Sequence, residues 1–358
     1  MTVADRPAQP PADRATAVLE GVAGWVPPRR VSNAELPAAW GVDDAWVRRR
    51  TGIATRHWAG DGVRTGDLAL EAARRVLASL DGPAPDTVLV ATSTPDRPMP
   101  AMAPRLASLL GLGQVAAWDV AAACSGFGYG LATAAGVLAA GHAQRVLLVA
   151  AEVYSTLVDP ADRGAGVVFA DGAGAVLLRR GRSGEPGALL AFDLGSDGTG
   201  HELIQVPGGG AAERARPTDH TPADRHFRMA GREVYQHAVT RMTESSLRVL
   251  ERTGWTADDV DRFVAHQANA RILDAVGERL RLPADRQVAN IERVGNTGAA
   301  SLPLALADAA SRDQLAPGER VLLTSFGAGL TWASATMTWP ELPVVAPVDS
   351  AALPAVAR

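Results

Sequence analysis

Between Asp119 and Arg145 the chain runs for 25 residues without an Asp, Glu, Lys or Arg. A run of that length has two destinations. It crosses a bilayer, where about 20 apolar residues suffice, or it lies inside a core large enough to surround it. Its own composition points to the second, because it is mostly Ala and Gly with few Leu, Ile or Val. The expectation is a buried helix and no membrane span. The chain has the material for such a core, with 358 residues of which 47% are hydrophobic. That is enough for one large domain or two fused halves.

Composition removes other classes. The formal net charge is -4, so nothing recommends a nucleic-acid partner. Cys124 is the only cysteine, which excludes an internal disulfide and any zinc site built from two or more cysteines. No metal is expected, and "GHELIQ" lacks the second His of a zinc motif. One free thiol fits a reducing, cytoplasmic setting. The N-terminal "MTVADRPAQPPADRATA" has no apolar stretch of the kind a secretory signal needs.

The signal then alternates. "DTVLVATST", "VAAWDV" and "RVLLVAAEV" read as buried strands, with "AMAPRLASLLGLG" and "CSGFGYGLATAAGVLAAG" as helices between them. The later part repeats the scheme. Strands "DDVDRFVAH", "RQVANIERVGN" (in part), "RVLLTSFGAG" and "TWASATMTW" alternate with helices "ANARILDAVGERLRL" and "TGAASLPLALADAASRDQL". This is an α/β chain with covered sheets. "GHAQRVLLVAAE" and "APGERVLLTSFG" each follow an Ala-rich helix, and each helix follows a turn with one chemically active residue, Cys124 in the first and Asn296 in the second. The expectation is an internal duplication, with halves 16–186 and 187–341 and flexible tails 1–15 and 342–358.

Three polar residues stand just after strands and near helix starts: Cys124, His266 in "VAHQAN" and Asn296 in "VGNTGAAS". Ligands of α/β sheets bind at the carboxyl ends of strands. A Cys at a helix start has its thiolate favoured by the dipole and by free N–H groups. Ala123, Ser125 and Gly126 are small enough to let a carbonyl approach. A His can polarise that carbonyl, and an Asn can donate a second hydrogen bond without charge. Each residue also has a plain structural reading: a lone Cys is commonly an inert core residue, and a lone His a satisfied one.

The strings "DVAAACSGF", "HQANARI", "GNTGAAS" and "FGAGLTW", in that order, closely resemble β-ketoacyl-acyl carrier protein synthase III of the thiolase superfamily. The resemblance runs from about residue 18 to 340 and includes "WVRRRTGIATRHWA" and "DPADRGAGVVFADGAGAVLL". It implies a thiolase-like fold, two βα halves in a five-layered αβαβα sandwich. It implies that Cys124 takes an acyl group from acyl-CoA. His266 and Asn296 would then hold the thioester of malonyl-acyl carrier protein during decarboxylation, and the enolate would attack the acyl-Cys. The oxyanion would face the N–H groups of Cys124 and Ala328, with Phe326 excluding water. Ala328 stands where the family usually has Gly, so its dihedrals must suit a Cβ.

The same resemblance assigns CoA contacts to Trp46, Arg50, Arg163 and Asn269, with Trp46 and Arg163 on either side of the adenine. Val42 stands where a Thr often bonds that base. Met99, Tyr154, Phe169 and Phe227 fall at acyl-pocket positions, Met99 reaching into a partner subunit. Arg271, Arg279 and Arg232 remain for carrier-protein docking, while Gln236 and Glu278 replace residues basic in some relatives. The implied assembly is a homodimer with no cofactor, since acyl-CoA is a substrate. The implied reaction initiates fatty-acid or polyketide synthesis. Two alternatives stay open: acyl transfer to an alcohol, amine or carrier protein without decarboxylation, and a silent partner subunit. The presence of Asn296 speaks against the first, and that of Cys124 against the second.

Overall fold

Wholly apolar strands demand cover on both faces, and the computed structural model of the chain supplies it around two five-stranded sheets. The structure describes residues 14–79 and 81–352. The first sheet holds β1 (Ala15–Trp25), β2 (Thr87–Ala91), β3 (Ala116–Val120), β4 (Arg145–Val153) and β5 (Asp171–Arg182), in the order β1-β5-β4-β2-β3. The second holds β6 (Leu189–Ser196), β7 (Arg262–Ala265), β8 (Gln287–Val288), β9 (Arg320–Gly327) and β10 (Thr331–Thr338), in the order β6-β10-β9-β7-β8.

The two orders are the same strand for strand, and so are the directions. β5 is antiparallel to β1 and β4, while β2 is parallel to β4 and β3. β10 is antiparallel to β6 and β9, while β7 is parallel to β9 and β8. Register agrees as well. Arg145 faces Arg179 and Glu152 faces Gly172 in the first sheet. Arg320 faces Thr338 and Gly327 faces Thr331 in the second. Glu152 and Gly327 thus hold the same place in their sheets.

Among the described residues the longest helices are α1 (Asp44–Thr51), α2 (Thr65–Ala78), α3 (Met102–Leu109), α4 (Gly126–Ala139), α5 (Gly231–Thr253), α6 (Ala270–Leu280) and α7 (Ser301–Ala310). Amphipathic helices lie outside and apolar ones between the sheets, as their patterns require. Leu68, Ala72 and Val76 of α2 join Met102 and Leu106 of α3 against Val88 and Leu147. On the far side Val234 and Met242 of α5 join Ile272 and Val276 of α6 against Phe263 and Leu322. Between the sheets, Phe127, Leu131 and Leu138 of α4 and Leu302, Leu304 and Leu306 of α7 form one core. Each such side chain contributes roughly 2 kcal/mol of burial. The uncharged run is therefore the middle layer. Its glycines permit that: a Cβ at Gly128 would lie 2.6 Å from Ala333 Cβ, and one at Gly130 2.6 Å from a Leu148 methyl. No helix among the described residues is long and apolar enough to cross a membrane.

Local differences from the sequence reading are small, with one exception. "DDVDRFVAH" is a strand only over Arg262–Ala265, because a 3-10 turn at Ala257–Asp259 precedes it. β1 begins at Ala15, and residues 1–13 lie outside the described residues. The exception is 342–358, expected as a flexible tail. As far as Ala351 this segment is fastened to the first half. Val348 is 1% exposed and its carbonyl accepts from Val26 N–H at 3.0 Å. The Arg75 guanidinium donates to the carbonyls of Pro347, Ser350 and Ala351 at 3.2, 3.1 and 2.7 Å. One apolar anchor and a set of backbone acceptors leave no periodicity to read. Residues 353–358 lie outside the described residues.

Candidate active site

β3 ends at Val120 and the chain must turn sharply to enter α4. Ala123 makes that turn with φ 45° and is followed by Cys124 in a 3-10 turn, Ala123–Ser125. A non-glycine residue in the left-handed region is strained, and such strain is found where a site needs a fixed backbone. Ser125 Oγ donates to Thr331 O at 3.0 Å and ties the turn to β10. The second half has the same device before α7. There Gly298 takes φ 56° in the 3-10 turn Gly298–Ala300. The counterpart of Cys124 is therefore Ala299. Asn296, read from sequence as that counterpart, lies three residues earlier. The equivalence is set by the sign of φ and the strand order, not by polarity.

His266 follows β7, is 3% exposed, and is fixed by its N–H to Thr324 O at 2.8 Å. Its Nδ1 lies 2.5 Å from Ser301 Oγ, at the first residue of α7. Ser301 Oγ also accepts from Gln267 N–H at 3.3 Å, which leaves its own proton for Nδ1. In the tautomer that accepts this proton, the imidazole carries its hydrogen on Nε2. Asn296 Oδ1 accepts from Gly298 N–H at 2.9 Å, and its amide nitrogen donates one hydrogen to Ala268 O at 3.4 Å and has a second to give. Gln267 is fully buried and clamps the loop, its Oε1 accepting from Asn290 and Ile291 N–H at 3.0 and 3.2 Å. Ser301, Gln267 and Glu152 went unmarked in the sequence reading. Ser301 and Gln267 stand within the quoted strings "GNTGAAS" and "HQANARI", which was the available signal.

Cys124, His266, Asn296, Phe326 and Gly327 line one cavity of about 120 Å³. It opens past Val168, Met229, Gly231, Tyr235 and Asn269 into an outer cleft of about 590 Å³. Trp46, Arg50, Arg232 and Arg271 line that cleft. The Arg50 and Arg163 guanidinium carbons lie 5.0 and 5.5 Å from the centroid of the Trp46 ring. These are cation–π contacts, and they leave no room for a third ring between Trp46 and Arg163 as they stand. Asn269 caps α6 by accepting from Arg271 N–H at 2.9 Å and donates to Arg50 O at 3.1 Å. Gly327, rather than Ala328, borders the cavity. A Cβ at Gly327 would lie 2.7 Å from Cys124 N. Ala328 is absent from the non-glycine residues with positive φ, so its Cβ carries no left-handed strain.

The four acyl-pocket positions divide. Phe169 and Phe227 line the cavity. Tyr154 stacks on Phe169 at 4.8 Å between centroids and meets Phe227 edge-on at 6.1 Å. Its hydroxyl lies 3.9 Å from Cys124 Sγ. Met99 is 83% exposed, outside the cavity. Of the docking arginines, Arg271 lies over the Tyr235 ring at 5.8 Å and Arg232 lines the cleft. Arg279 sits farther along α6, donating to Thr240 Oγ1 at 3.4 Å.

Burial dominates the electrostatics. It lowers His266 to about 4, so the imidazole is neutral at pH 7. It raises Cys124 to about 12, with the Glu152 charge adding to the effect. The helix start alone was expected to favour the thiolate; here desolvation and a neighbouring anion oppose it. Among the described residues no group of three or more His, Cys, Asp or Glu is placed to hold a metal.

Residues 118–198 match the family model for 3-oxoacyl-[acyl-carrier-protein] synthase III, and residues 250–339 match its C-terminal model. The chain is 53% identical to β-ketoacyl-[acyl-carrier-protein] synthase III 5 of Streptomyces coelicolor, over 91% of this chain and 98% of that one. The crystal structure of the Pseudomonas aeruginosa PAO1 synthase III superposes with a TM-score of 0.86 at 47% identity, covering 91% of this chain and 99% of that one. The priming β-ketosynthase of the R1128 polyketide pathway gives 0.84 at 32% identity, covering 94% and all of the two chains. With two matching sheets, a thiol cavity and relatives that span it nearly end to end, this chain belongs to the β-ketoacyl-acyl carrier protein synthase III family, acyl-transferring enzymes that condense acyl-CoA with malonyl-acyl carrier protein.

Proposed function

We propose that the chain carries its acyl group on Cys124 and decarboxylates malonyl-acyl carrier protein between His266 and Asn296. One observation carries this reading: these three residues, from three different loops, two of them after strands and the Asn296 loop after the helical turn Ile291–Val294, line one cavity that opens into an Arg- and Trp-bordered cleft. Cys124 Sγ attacks the acyl-CoA carbonyl, the carbon–sulfur bond to CoA breaks, and the thiol proton leaves with the CoA sulfur. The malonyl thioester then accepts hydrogen bonds from His266 Nε2 and Asn296 Nδ2. Carbon dioxide departs, and the enolate attacks the acyl-Cys carbonyl, breaking the carbon–sulfur bond to give the 3-ketoacyl product and a Cys124 thiolate that takes a proton from water. A neutral His266 is a donor that does not tie down the malonyl carboxylate as an ion pair, and Phe326 offers that carboxylate no solvation. The N–H groups of Cys124 and Ala328 serve the oxyanion. Trp46, Arg50, Arg163 and Asn269 take the CoA, whose adenine must first part Trp46 from Arg163.

The phosphates of CoA and the acidity of carrier proteins fit Arg232, Arg271 and Arg279 as the docking side. The exposure of Met99 supports a homodimer in which that side chain is covered. No cofactor is needed, and the cytoplasm is the compartment that holds both substrates. Intact-mass spectrometry after mixing with a panel of short acyl-CoAs should show one acyl adduct, absent in Cys124→Ala. Adding malonyl-acyl carrier protein should discharge it with carbon dioxide and a 3-ketoacyl product. An adduct that persists without Cys124, or carbon dioxide release without that product, defeats the reading.

A further inference from the structure

Glu152 is fully buried at the end of β4 and has no part in the chemistry above. Its partners are N–H and O–H donors rather than a cation. Ser93 N–H reaches both carboxylate oxygens at 3.0 Å, Thr94 Oγ1 donates at 2.9 Å and Thr92 Oγ1 at 3.3 Å. The N–H of Ala299 acts on the same carboxylate, favouring its charged form. A buried charge persists only when donors satisfy it, and a helix start is where a carboxylate is best placed.

The register explains why this acid is here. Glu152 and Gly327 hold equivalent places in β4 and β9, and Ala299 and Cys124 hold equivalent places in the two turns. Gly327 packs its backbone directly against the Cys124 turn, where a Cβ would lie 2.7 Å from Cys124 N. At the equivalent place in the other half Glu152 carries a side chain, and its carboxylate is acted on by Ala299 N–H. The contacts cross, since the strand of each half meets the turn of the other. Gly298 N–H in the turn beside Glu152 orients Asn296, and Ser301 just after it orients His266.

The geometry points to Glu152 as a positioning residue of the decarboxylating half of the site, a buried carboxyl whose hydrogen bonds hold the Asn296 turn and whose ionised form works against negative charge on Cys124. This rests on the reading of Cys124 as the acyl carrier. Cys124 and Tyr154 are the titratable groups that feel Glu152, and burial raises its own carboxyl to about 7.

The full-length protein with Glu152→Gln and Glu152→Asp tests the assignment. Cys124 reactivity is read with iodoacetamide above pH 8, where the Glu152 carboxyl is ionised, and decarboxylation with malonyl-acyl carrier protein on acylated enzyme. The Gln variant should alkylate faster by about threefold, because a neighbouring charge is gone. It should decarboxylate slower by about tenfold, because an amide cannot accept from all the donors. The Asp variant should alkylate as the wild type does and still lose decarboxylation, because its shorter reach leaves Ala299. Opposite signs for the two readouts are what a general loss of structure cannot give. Alkylation that is unchanged or slower in Gln overturns the assignment, as does decarboxylation unchanged in Asp. If Gln fails to fold, the Asp arm decides alone. The acyl adduct of the wild type reports separately on Cys124.

Discussion

Cys124 and Ala299 sit at the same point of two like turns, each after a residue of positive φ and each at the head of a helix between the sheets. Opposite Cys124 stands Gly327, whose missing side chain lets its backbone approach Cys124 N at the cavity wall. Opposite Ala299 stands Glu152, whose carboxylate occupies the corresponding place. The difference teaches how a duplicated scaffold divides its labour. On the proposed reading, one helix start meets no side chain and serves charge that exists only during reaction, while the other meets a carboxyl that holds the turn beside it.

Experiments can break this contrast, beginning with the largest effect. Cys124→Ala removes the nucleophile, and condensation should fall about a thousandfold or more, measured as 3-ketoacyl product per enzyme. Gly327→Ala makes the open turn resemble the filled one. Its Cβ would meet Cys124 N at 2.7 Å, and kcat/KM for acyl-CoA loading should fall by about a hundredfold, the size of a lost oxyanion donor. The resting thiol sharpens the contrast through pH. Because the Cys124 thiol is pushed up to about 12, it is protonated at neutral pH, and its alkylation rate should rise by about tenfold per pH unit through pH 9 without levelling. A plateau near pH 7 would show the helix start prevailing over burial. Ser301→Ala acts on the filled side only. It removes the partner of His266 Nδ1, and decarboxylation should fall roughly tenfold while Cys124 still loads acyl groups. The smallest effect lies in neither turn. Ending the chain at Pro343 exposes the Val348 site and strips Arg75 of acceptors, a loss of about 2 kcal/mol, seen as a Tm lower by several degrees with catalysis intact.

Much of the layering was legible because it depends on periodicity. The uncharged run had to be interior, and the repeated "RVLL" strands marked equivalent centres of two sheets. What polarity could mark, it marked: Cys124, His266 and Asn296 do meet in one cavity. Polarity also misled. Ala299 carries no functional group, so Asn296 seemed to be the partner of Cys124, whereas dihedral angle and register decide the matter. Glu152 read as one charge at the end of a strand, since nothing local says that donors from Ser93 and Ala299 converge on it. The fastening of 342–351 was hidden for a related reason. Backbone carbonyls that catch an arginine from a distant helix leave no trace in side-chain pattern.

The crossed contacts have a consequence for symmetry. Two identical copies related by a two-fold axis present each residue twice. Whatever stood opposite one helix start would stand opposite both, and the pair would be entirely vacant or entirely plugged. Joining the copies into one polypeptide lifts that constraint, for Gly and Glu can then be encoded separately at matching sites. The asymmetry on which the proposed reaction depends is available only to a fused chain, and neither half retains it when separated from the other.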